Sequence, residues 1–200
     1  SFINNGKTMI HRQHKKKSNL TLIVMLVLVI ILGAFLLLWN PTPAKAQERP
    51  TPEQATIVKD GHKAPDFEVQ MFDGSTIKLA DLKGKVVLLN FWATWCPPCR
   101  QELSHMQEGV IDRFQGEDLV VLPISRGEEP GKVKSFIKDR GYKFPVGLDV
   151  DQSIYRKYAS NYIPRSVVVG RDGVVEYVAV GYDDTIAKEI EAAITAALKK

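Results

Sequence analysis

The two cysteines of the chain, Cys96 and Cys99, stand in a C-x-x-C spacing. Cysteines at this spacing serve zinc binding, c-type haem attachment or disulfide chemistry. Zinc needs more protein ligands than two, and neither a second cysteine pair nor a histidine at ligand spacing is available. A c-type haem site needs a histidine directly after the second cysteine, where this chain has Arg100. The pair therefore predicts a disulfide, either structural or used in exchange.

The elements around the cysteines favour exchange. An apolar strand is predicted over residues 86–92, and a helix over residues 97–114. The positive end of that helix would stabilise a thiolate, which makes Cys96 the predicted nucleophile. Cys99 lies one turn further along the same helix face, within disulfide reach. A bridge that closes so short a loop contributes little stability, so a purely structural role explains the pair poorly.

The rest of the chain predicts an α/β domain. Asp73-Gly74 marks a hairpin, and a second hairpin is marked by Asp172-Gly173. Beside the strand and helix at the cysteines, strands are predicted at 67–71, 76–79, 119–124, 144–148, 166–170 and 174–180, and helices at 130–140, 152–158 and 184–198. Leu103, Met106, Val110 and Phe114 are expected to form one apolar stripe on the helix after the cysteines. This order predicts three layers around a central mixed sheet.

Residues 20–39 form an apolar run without charge, long enough as a helix to cross a bilayer. Residues 1–46 contain six Lys or Arg and no acidic residue, whereas the remainder has 21 basic and 23 acidic residues. The net charge of +4 is therefore an orientation signal rather than a sign of a nucleic-acid partner. It predicts a cytoplasmic N-terminus and an extracytoplasmic domain in a single-pass membrane protein.

A cleaved signal peptide is the alternative interpretation, with Ala44-Lys45-Ala46 as an acceptable cleavage site. The apolar run is longer than the usual signal-peptide core, which favours an uncleaved anchor. The predicted organisation is a cytoplasmic basic tail at 1–19, a transmembrane helix at 20–39, a proline-rich linker at 40–55 and a folded domain at 56–200.

The run NFWATWCPPC at residues 90–99 resembles the active-site run of the thioredoxin superfamily, and more narrowly that of the membrane-anchored TlpA/ResA/CcmG group. The resemblance covers roughly residues 57–200. Its other motifs are Ala64-Pro65-Asp66-Phe67, Gly84-Lys85, Tyr162-Ile163-Pro164, Asp172-Gly173 and Gly181. It implies a thioredoxin-like three-layer fold with a central mixed sheet, preceded by an N-terminal β-hairpin extension and the transmembrane helix.

The resemblance also implies a substrate site beside the cysteines. Pro164 is expected to be a cis-proline that faces the pair, with the backbone of Ile163 pairing with a bound partner. Trp95, Pro97 and Pro98 are expected to complete the partner-binding surface. Family members often have Thr after the cis-proline, whereas Arg165 and Ser166 follow here, and Arg165 is expected to favour an acidic partner.

Two further positions, Glu102 and Asn90, have two interpretations each. Glu102 is either a proton relay for Cys99 or a solvated first-turn glutamate. Asn90 stands where cytoplasmic thioredoxins carry a buried acid, and is otherwise a hydrogen-bonded core amide. Glu128-Glu129 is expected to lie in a solvated loop, and His105 on the helix surface.

The function implied by the resemblance is extracytoplasmic thiol–disulfide exchange, in the reducing direction, without a metal or cofactor. The implied partners are protein disulfides, including those of apocytochrome c, with a membrane thiol transporter as electron donor. A thiol peroxidase is an alternative, but the Pro-x-x-x-Thr-x-x-Cys pattern is missing. A copper-binding assembly factor is another, but it would use C-x-x-x-C and a distant histidine, and no histidine follows His105.

Overall fold

The computed structural model describes residues 4–39 and 48–200. The chain divides into two compact units, Ser1–Glu48 and Arg49–Lys200. In the first, helix α1 spans Asn4–Leu38. Its part Asn19–Leu38 has a mean hydropathy of 3.2 and is long and apolar enough to cross a membrane, although a signal sequence near an N-terminus has the same properties. The possible cleavage site at residues 44–46 and residues 40–47 of the predicted linker lie outside the described residues.

The second unit is built on one mixed sheet. Its seven strands are β1 (Glu68–Met71), β2 (Thr76–Lys78), β3 (Val86–Trp92), β4 (Leu119–Arg126), β5 (Gly147–Asp149), β6 (Arg165–Val169) and β7 (Val175–Val180). They lie in the order β2-β1-β5-β4-β3-β6-β7. The pairs β3–β4 and β4–β5 are parallel, while the other neighbours are antiparallel. β1 and β2 form an antiparallel hairpin at one edge.

Helices cover both faces of the sheet. They are α2 (Pro97–Met106), α3 (Pro130–Arg140), α4 (Tyr155–Tyr158) and α5 (Asp184–Leu198). The apolar side chains of α2, α3 and α5 pack on one face, and those of α4 pack on the other face with the chain segment that precedes β1. The predicted three-layer α/β architecture with a central mixed sheet is confirmed.

Strand β3 lies in the middle of the sheet and is buried along its whole length. Its side chains alternate between the two faces. Val86 and Leu88 pack with α5, while Val87 and Leu89 pack with α4. By the same alternation, Asn90 points to the face that carries α2 and α5. Asn90, near the end of β3, therefore places a polar side chain in the layer of helices a few residues before Cys96.

The helix after the cysteines differs from its predicted course. The regular helix ends at Met106, and residues Gln107–Asp112 form a π-helical turn. A π-turn contains an extra residue, which rotates the following side chains around the helix axis. Leu103 and Met106 consequently pack with α3, whereas Val110 and Phe114 pack with α5. The expectation of one continuous apolar stripe is wrong for this reason.

Two other elements are shorter than expected. The predicted strand 144–148 is observed at Gly147–Asp149, and the predicted helix 152–158 begins at Tyr155. The buried carboxylate of Asp149 accepts hydrogen bonds from the backbone N–H groups of Ile154 and Tyr155, at 3.1 and 2.8 Å. This side chain satisfies the free N–H groups at the start of α4 and sets where the helix begins.

Candidate active site

Cys96 and Cys99 form a disulfide at the N-terminus of α2. Cys96 is the N-cap residue with extended backbone, and its Sγ accepts a hydrogen bond from the backbone N–H of Cys99 at 3.3 Å. Pro97 and Pro98 occupy the first two helical positions, where a missing N–H group leaves no helix bond unmade. A thiolate at Cys96 would thus lie at the positive end of the helix and keep one backbone donor.

The two cysteines are both buried, but not to the same extent. Cys96 is 3% exposed and Cys99 is 0% exposed. Cys96 is therefore the residue of the pair that keeps some surface open to solvent. This difference makes Cys96 the candidate attacking residue and Cys99 the candidate resolving residue, in line with the order expected from the helix N-terminus.

The loop before β6 faces the cysteines. The Ile163–Pro164 peptide bond is cis, as the resemblance implied. The carbonyl oxygen of Ile163 lies 3.7 Å from Cys96 Sγ. A disulfide sulfur carries no proton, so this contact becomes a hydrogen bond only when Cys96 is a thiol. Ile163 is half-buried, and its backbone N–H has no hydrogen-bond partner among residues 48–200.

The three residues expected to contact a partner are the sequence neighbours of Cys96, namely Trp95, Pro97 and Pro98. The indole of Trp95 is 60% exposed directly before Cys96. Pro97 is exposed and Pro98 is half-buried. Trp92, by contrast, is fully buried and packs on Phe136. The exposed side chains give the rim of the site an apolar, rigid surface suited to a protein partner.

A line of three buried polar side chains runs beside α2. Asn90 and Ser166 are direct cross-strand partners in the β3–β6 pairing. Asn90 Nδ2 donates to Ser166 Oγ at 2.9 Å, and Ser166 Oγ donates to Glu102 Oε1 at 2.6 Å. Because the serine has a single proton, this order makes Glu102 the terminal acceptor of the chain. Asn90 is therefore a hydrogen-bonded core amide that also supports Glu102.

Glu102 is 4% exposed, so it is not the solvated first-turn glutamate that one of the two interpretations described. It is the carboxylate among the four buried residues of α2, and it lies one turn from Cys99. Burial raises the pKa of Glu102 to about 7, although hydrogen bonds from Ser166 and Asn90 act in the opposite direction. A carboxyl group with this pKa can both take up and release a proton near neutral pH.

The second oxygen of Glu102 has a different environment. Oε2 has no hydrogen-bond partner among residues 48–200. Glu102 also lines a cavity of about 430 Å³ between α2, the π-turn and α5. His105, exposed on the helix surface as expected, stacks on Tyr182 and both line the same cavity. Because Oε1 accepts from Ser166, Oε2 is the oxygen that would carry the proton.

Arg165 has a different role from the one expected. The expectation that it favours an acidic partner is wrong, because the side chain is fully buried. Its guanidinium donates to Thr56 Oγ1 at 2.8 Å and to the carbonyl of Asn161 at 3.1 Å. Successive residues of a strand point to opposite faces, so Arg165 faces away from Ser166 and toward the chain segment before β1.

Glu128 is a site residue that the sequence interpretation missed. It was expected in a solvated loop but is 7% exposed. Its carboxylate accepts from the backbone N–H and the hydroxyl of Thr94, both at 2.6 Å, and pairs with Lys132 at 2.6 Å. Burial alone would raise the pKa of Glu128, but the hydrogen bonds from Lys132 and Thr94 hold it below its usual value. Glu128 thereby fixes the loop two residues before Cys96, and no local signal marked it.

The comparisons with known proteins are consistent with this geometry. The model of the AhpC/TSA family matches residues 61–178. Thiol-disulfide oxidoreductase ResA of Bacillus thuringiensis (strain Al Hakam) is 37% identical over 121 residues, which cover 60% of this chain and 69% of the relative. Thiol-disulfide oxidoreductase ResA of Bacillus subtilis (strain 168) is 31% identical over 167 residues, which cover 84% of this chain and 88% of the relative.

A solved structure shows the same architecture. A Chlorobium tepidum structure named for the thiol:disulfide interchange protein DsbE superposes with a TM-score of 0.66 at 31% identity. The match covers 70% of this chain and 99% of that one. The part of the chain that carries the cysteines, the cis-proline loop and the mixed sheet thus has close counterparts in sequence and in structure.

Proposed function

Because the chain belongs to the AhpC/TSA family, we propose that it is a membrane-anchored member that reduces disulfide bonds of exported proteins through Cys96 and Cys99. It is a thiol–disulfide oxidoreductase of the ResA type. The observation that supports the assigned residues is the disulfide at the start of α2, where Cys96 is the N-cap residue and Cys99 is fully buried. The reducing direction, the location and the partners are the further parts of the proposal.

The first step is attack on a partner disulfide. The dithiol form loses a proton from Cys96, and the thiolate attacks one sulfur of the partner. A mixed disulfide forms between Cys96 and that sulfur, while the other partner sulfur leaves as a thiolate and takes a proton from solvent. The helix N-terminus and the backbone N–H of Cys99 stabilise the attacking thiolate.

The second step releases the partner. Cys99 loses its proton and attacks Cys96 Sγ, so that the Cys96–Cys99 disulfide forms and the second partner sulfur leaves as a thiolate. The fully buried Cys99 thiol needs an acceptor for its proton, and Glu102 is the buried carboxylate one helical turn away. Glu102 then releases the proton toward solvent, and the cavity that Glu102 lines is the proposed side of release.

The cycle closes with a donor of two electrons. Each turnover reduces one partner disulfide and leaves the chain oxidised, so a dithiol must reduce the Cys96–Cys99 disulfide again. A membrane thiol transporter is the proposed donor, since it would carry reducing equivalents to a domain outside the cytoplasm. Apocytochrome c cysteines are the proposed substrate, on the resemblance to the TlpA/ResA/CcmG group.

The proposed location follows from the N-terminal segment. The helix part Asn19–Leu38 is long enough to span a membrane, and the basic residues precede it. Positive charge tends to be retained on the cytoplasmic side, which supports a catalytic domain on the outer side of the cell membrane. An oxidising compartment also supplies the disulfides that a reductant acts on.

Reduction of insulin by the 200-residue chain in detergent, with dithiothreitol as the electron source, tests the function. We expect insulin to precipitate faster than with dithiothreitol alone, because the Cys96 thiolate attacks disulfides faster than a free thiol does. The same preparation is also tested for consumption of hydrogen peroxide and for binding of Cu(I). Peroxide consumption without insulin reduction would contradict the proposal in favour of a thiol peroxidase. Tight Cu(I) binding without insulin reduction would contradict it in favour of a copper-binding factor.

Labelling of single cysteines tests the location. In a chain with both native cysteines changed to serine, Gln115→Cys provides an exposed thiol in the catalytic domain and Lys15→Cys provides one before the apolar run. We expect a membrane-impermeant maleimide to label Gln115→Cys in spheroplasts and Lys15→Cys only after lysis. The reverse pattern, or labelling of both only after lysis, would place the domain inside the cell.

A further inference from the structure

The first residues of the catalytic unit lie against the loop that carries the cis-proline. We call residues 50–58 the N-terminal latch. Ser160 N–H donates to the Ala55 carbonyl at 2.9 Å, and the N–H groups of Ile57 and Val58 donate to the Tyr158 carbonyl at 3.0 and 3.1 Å. Ala55 and Val58 are buried in this contact. The latch is therefore packed against the domain from its first turn, although part of it was assigned to the linker by composition.

One end of the cis-proline loop is fixed at Tyr162. This residue has a φ of 68°, in the left-handed region that bulky side chains rarely adopt. Its hydroxyl donates to the carbonyl of Pro50 at 2.7 Å, its carbonyl accepts from the hydroxyl of Tyr155 at 2.8 Å, and its N–H donates to Asn161 Oδ1 at 2.8 Å. Strained backbone persists where surrounding contacts over-determine it, and such residues concentrate at binding sites.

The other end of the loop is fixed at Arg165. The buried guanidinium donates to Thr56 Oγ1 in the latch and to the Asn161 carbonyl in the loop. Its planar group thus joins the two segments at fixed geometry. Tyr162 and Arg165 bracket Ile163 and Pro164, so the latch holds the residues on both sides of the cis peptide bond.

The bracketed residues are the ones that the resemblance implies for pairing with a partner chain. The carbonyl of Ile163 lies 3.7 Å from Cys96 Sγ, and its N–H is unpaired among residues 48–200. A free backbone donor beside an acceptor is the edge on which an extended peptide can pair. A protein disulfide needs this edge to align its backbone, whereas a small disulfide needs only to reach Cys96.

We propose that the N-terminal latch positions the Ile163–Pro164 edge for protein partners, with Tyr162, Thr56 and Arg165 as positioning residues. The inference rests on the proposed exchange with protein disulfides. On this proposal the latch determines how strongly the chain prefers protein disulfides over small disulfides.

The test compares two substrates with the 200-residue chain in detergent. Tyr162→Phe removes the hydroxyl that bonds Pro50 and keeps the ring. We expect KM for insulin to rise about fivefold, the factor that matches one neutral hydrogen bond. The rate with the small disulfide 5,5′-dithiobis(2-nitrobenzoate) should stay at the wild-type value. A structural role alone would lower both rates together.

Tyr177→Phe is the matched control, because the hydroxyl of Tyr177 bonds Glu189 Oε2 at 2.6 Å on β7 and α5, away from the loop. It should leave both substrates unchanged. Thr56→Ala is the second variant at the other end of the latch and should raise KM for insulin alone, while Thr56→Ser, which keeps the acceptor, should restore it. Equal loss on both substrates, or no change in KM for insulin with either variant, would overturn the latch. Wild-type chain that turns over no insulin would overturn the proposed function instead.

Discussion

Insulin reduction by the Cys96→Ser chain is expected to fall to the rate of dithiothreitol alone. A serine hydroxyl is not ionised at neutral pH and cannot replace the thiolate stabilised at the start of α2. Cys99 cannot take over the attack, because it is fully buried behind Cys96. The loss should therefore be complete rather than partial.

The Cys99→Ser chain should behave differently. It keeps the Cys96 thiolate and so completes the first step, but no internal thiol remains to release the partner. Turnover should fall to the rate at which dithiothreitol cleaves the mixed disulfide. Both rates are read from insulin precipitation, with a single-turnover measurement to separate attack from release.

Ser104→Ala is the matched control on the same helix. Ser104 is exposed, and its hydroxyl bonds only the carbonyl of Gln101 in its own helix, at 2.7 Å. This variant should keep wild-type turnover. Equal residual activity in Cys96→Ser and Cys99→Ser would contradict the assignment of one attacking and one resolving cysteine.

Glu102→Gln is expected to slow the reduction of insulin by roughly 10²-fold above pH 7, the low end of the range for general acid–base catalysis. The amide still accepts from Ser166 but cannot take the proton of Cys99. In the reducing direction the carboxylate form is the active one. Wild-type release should therefore increase with pH through about 7, where Glu102 ionises, and this inflection should be missing from the variant.

The same substitution has an opposite effect on stability. Burial raises the pKa of Glu102 from 4.5 when exposed to about 7 in the fold, so the folded state binds its proton more tightly. The stability of the wild-type chain should therefore decrease as pH rises from about 4.5 to 7. At pH 8 the buried charge costs about 3 kcal/mol, which Glu102→Gln should recover. Unfolding by urea at pH 5 and pH 8 measures both chains.

Glu117→Gln is the control for the carboxylate, since Glu117 is an exposed carboxylate that follows the same helical segment. It should change neither the pH profile nor the stability difference between pH 5 and pH 8. A Glu102→Gln chain that keeps the inflection near pH 7 would show that another group takes the proton. A chain that is slower and less stable at every pH would show a packing defect rather than a lost acid.

The parts of the site that follow from local sequence were predictable. These parts are the apolar run of β3, the C-x-x-C spacing and the prolines after Cys96, which lie within a few residues of one another. They are enough to place both sulfurs at a helix N-terminus, because strand and helix signals are short-range. The position of Pro164 came instead from resemblance, since its distance in sequence from the cysteines carries no local signal.

The parts that depend on contacts between distant segments were not predictable. Glu128 bonds Thr94 across 34 residues, and Arg165 bonds Thr56 across 109. A glutamate in a charged run and an arginine after a proline are usually solvated, so composition favoured the wrong environment for both. The burial of Glu102 had the same origin, because it depends on Ser166 lying opposite Asn90 in the sheet.

The most direct measurement is the intact mass of each single-cysteine chain after mixing with a peptide that contains a disulfide. The account predicts a covalent adduct of Cys99→Ser with one peptide thiol, which dithiothreitol removes, and no adduct of Cys96→Ser. An adduct that forms on Cys96→Ser at a similar rate, or no adduct with either chain, would contradict Cys96 as the attacking residue.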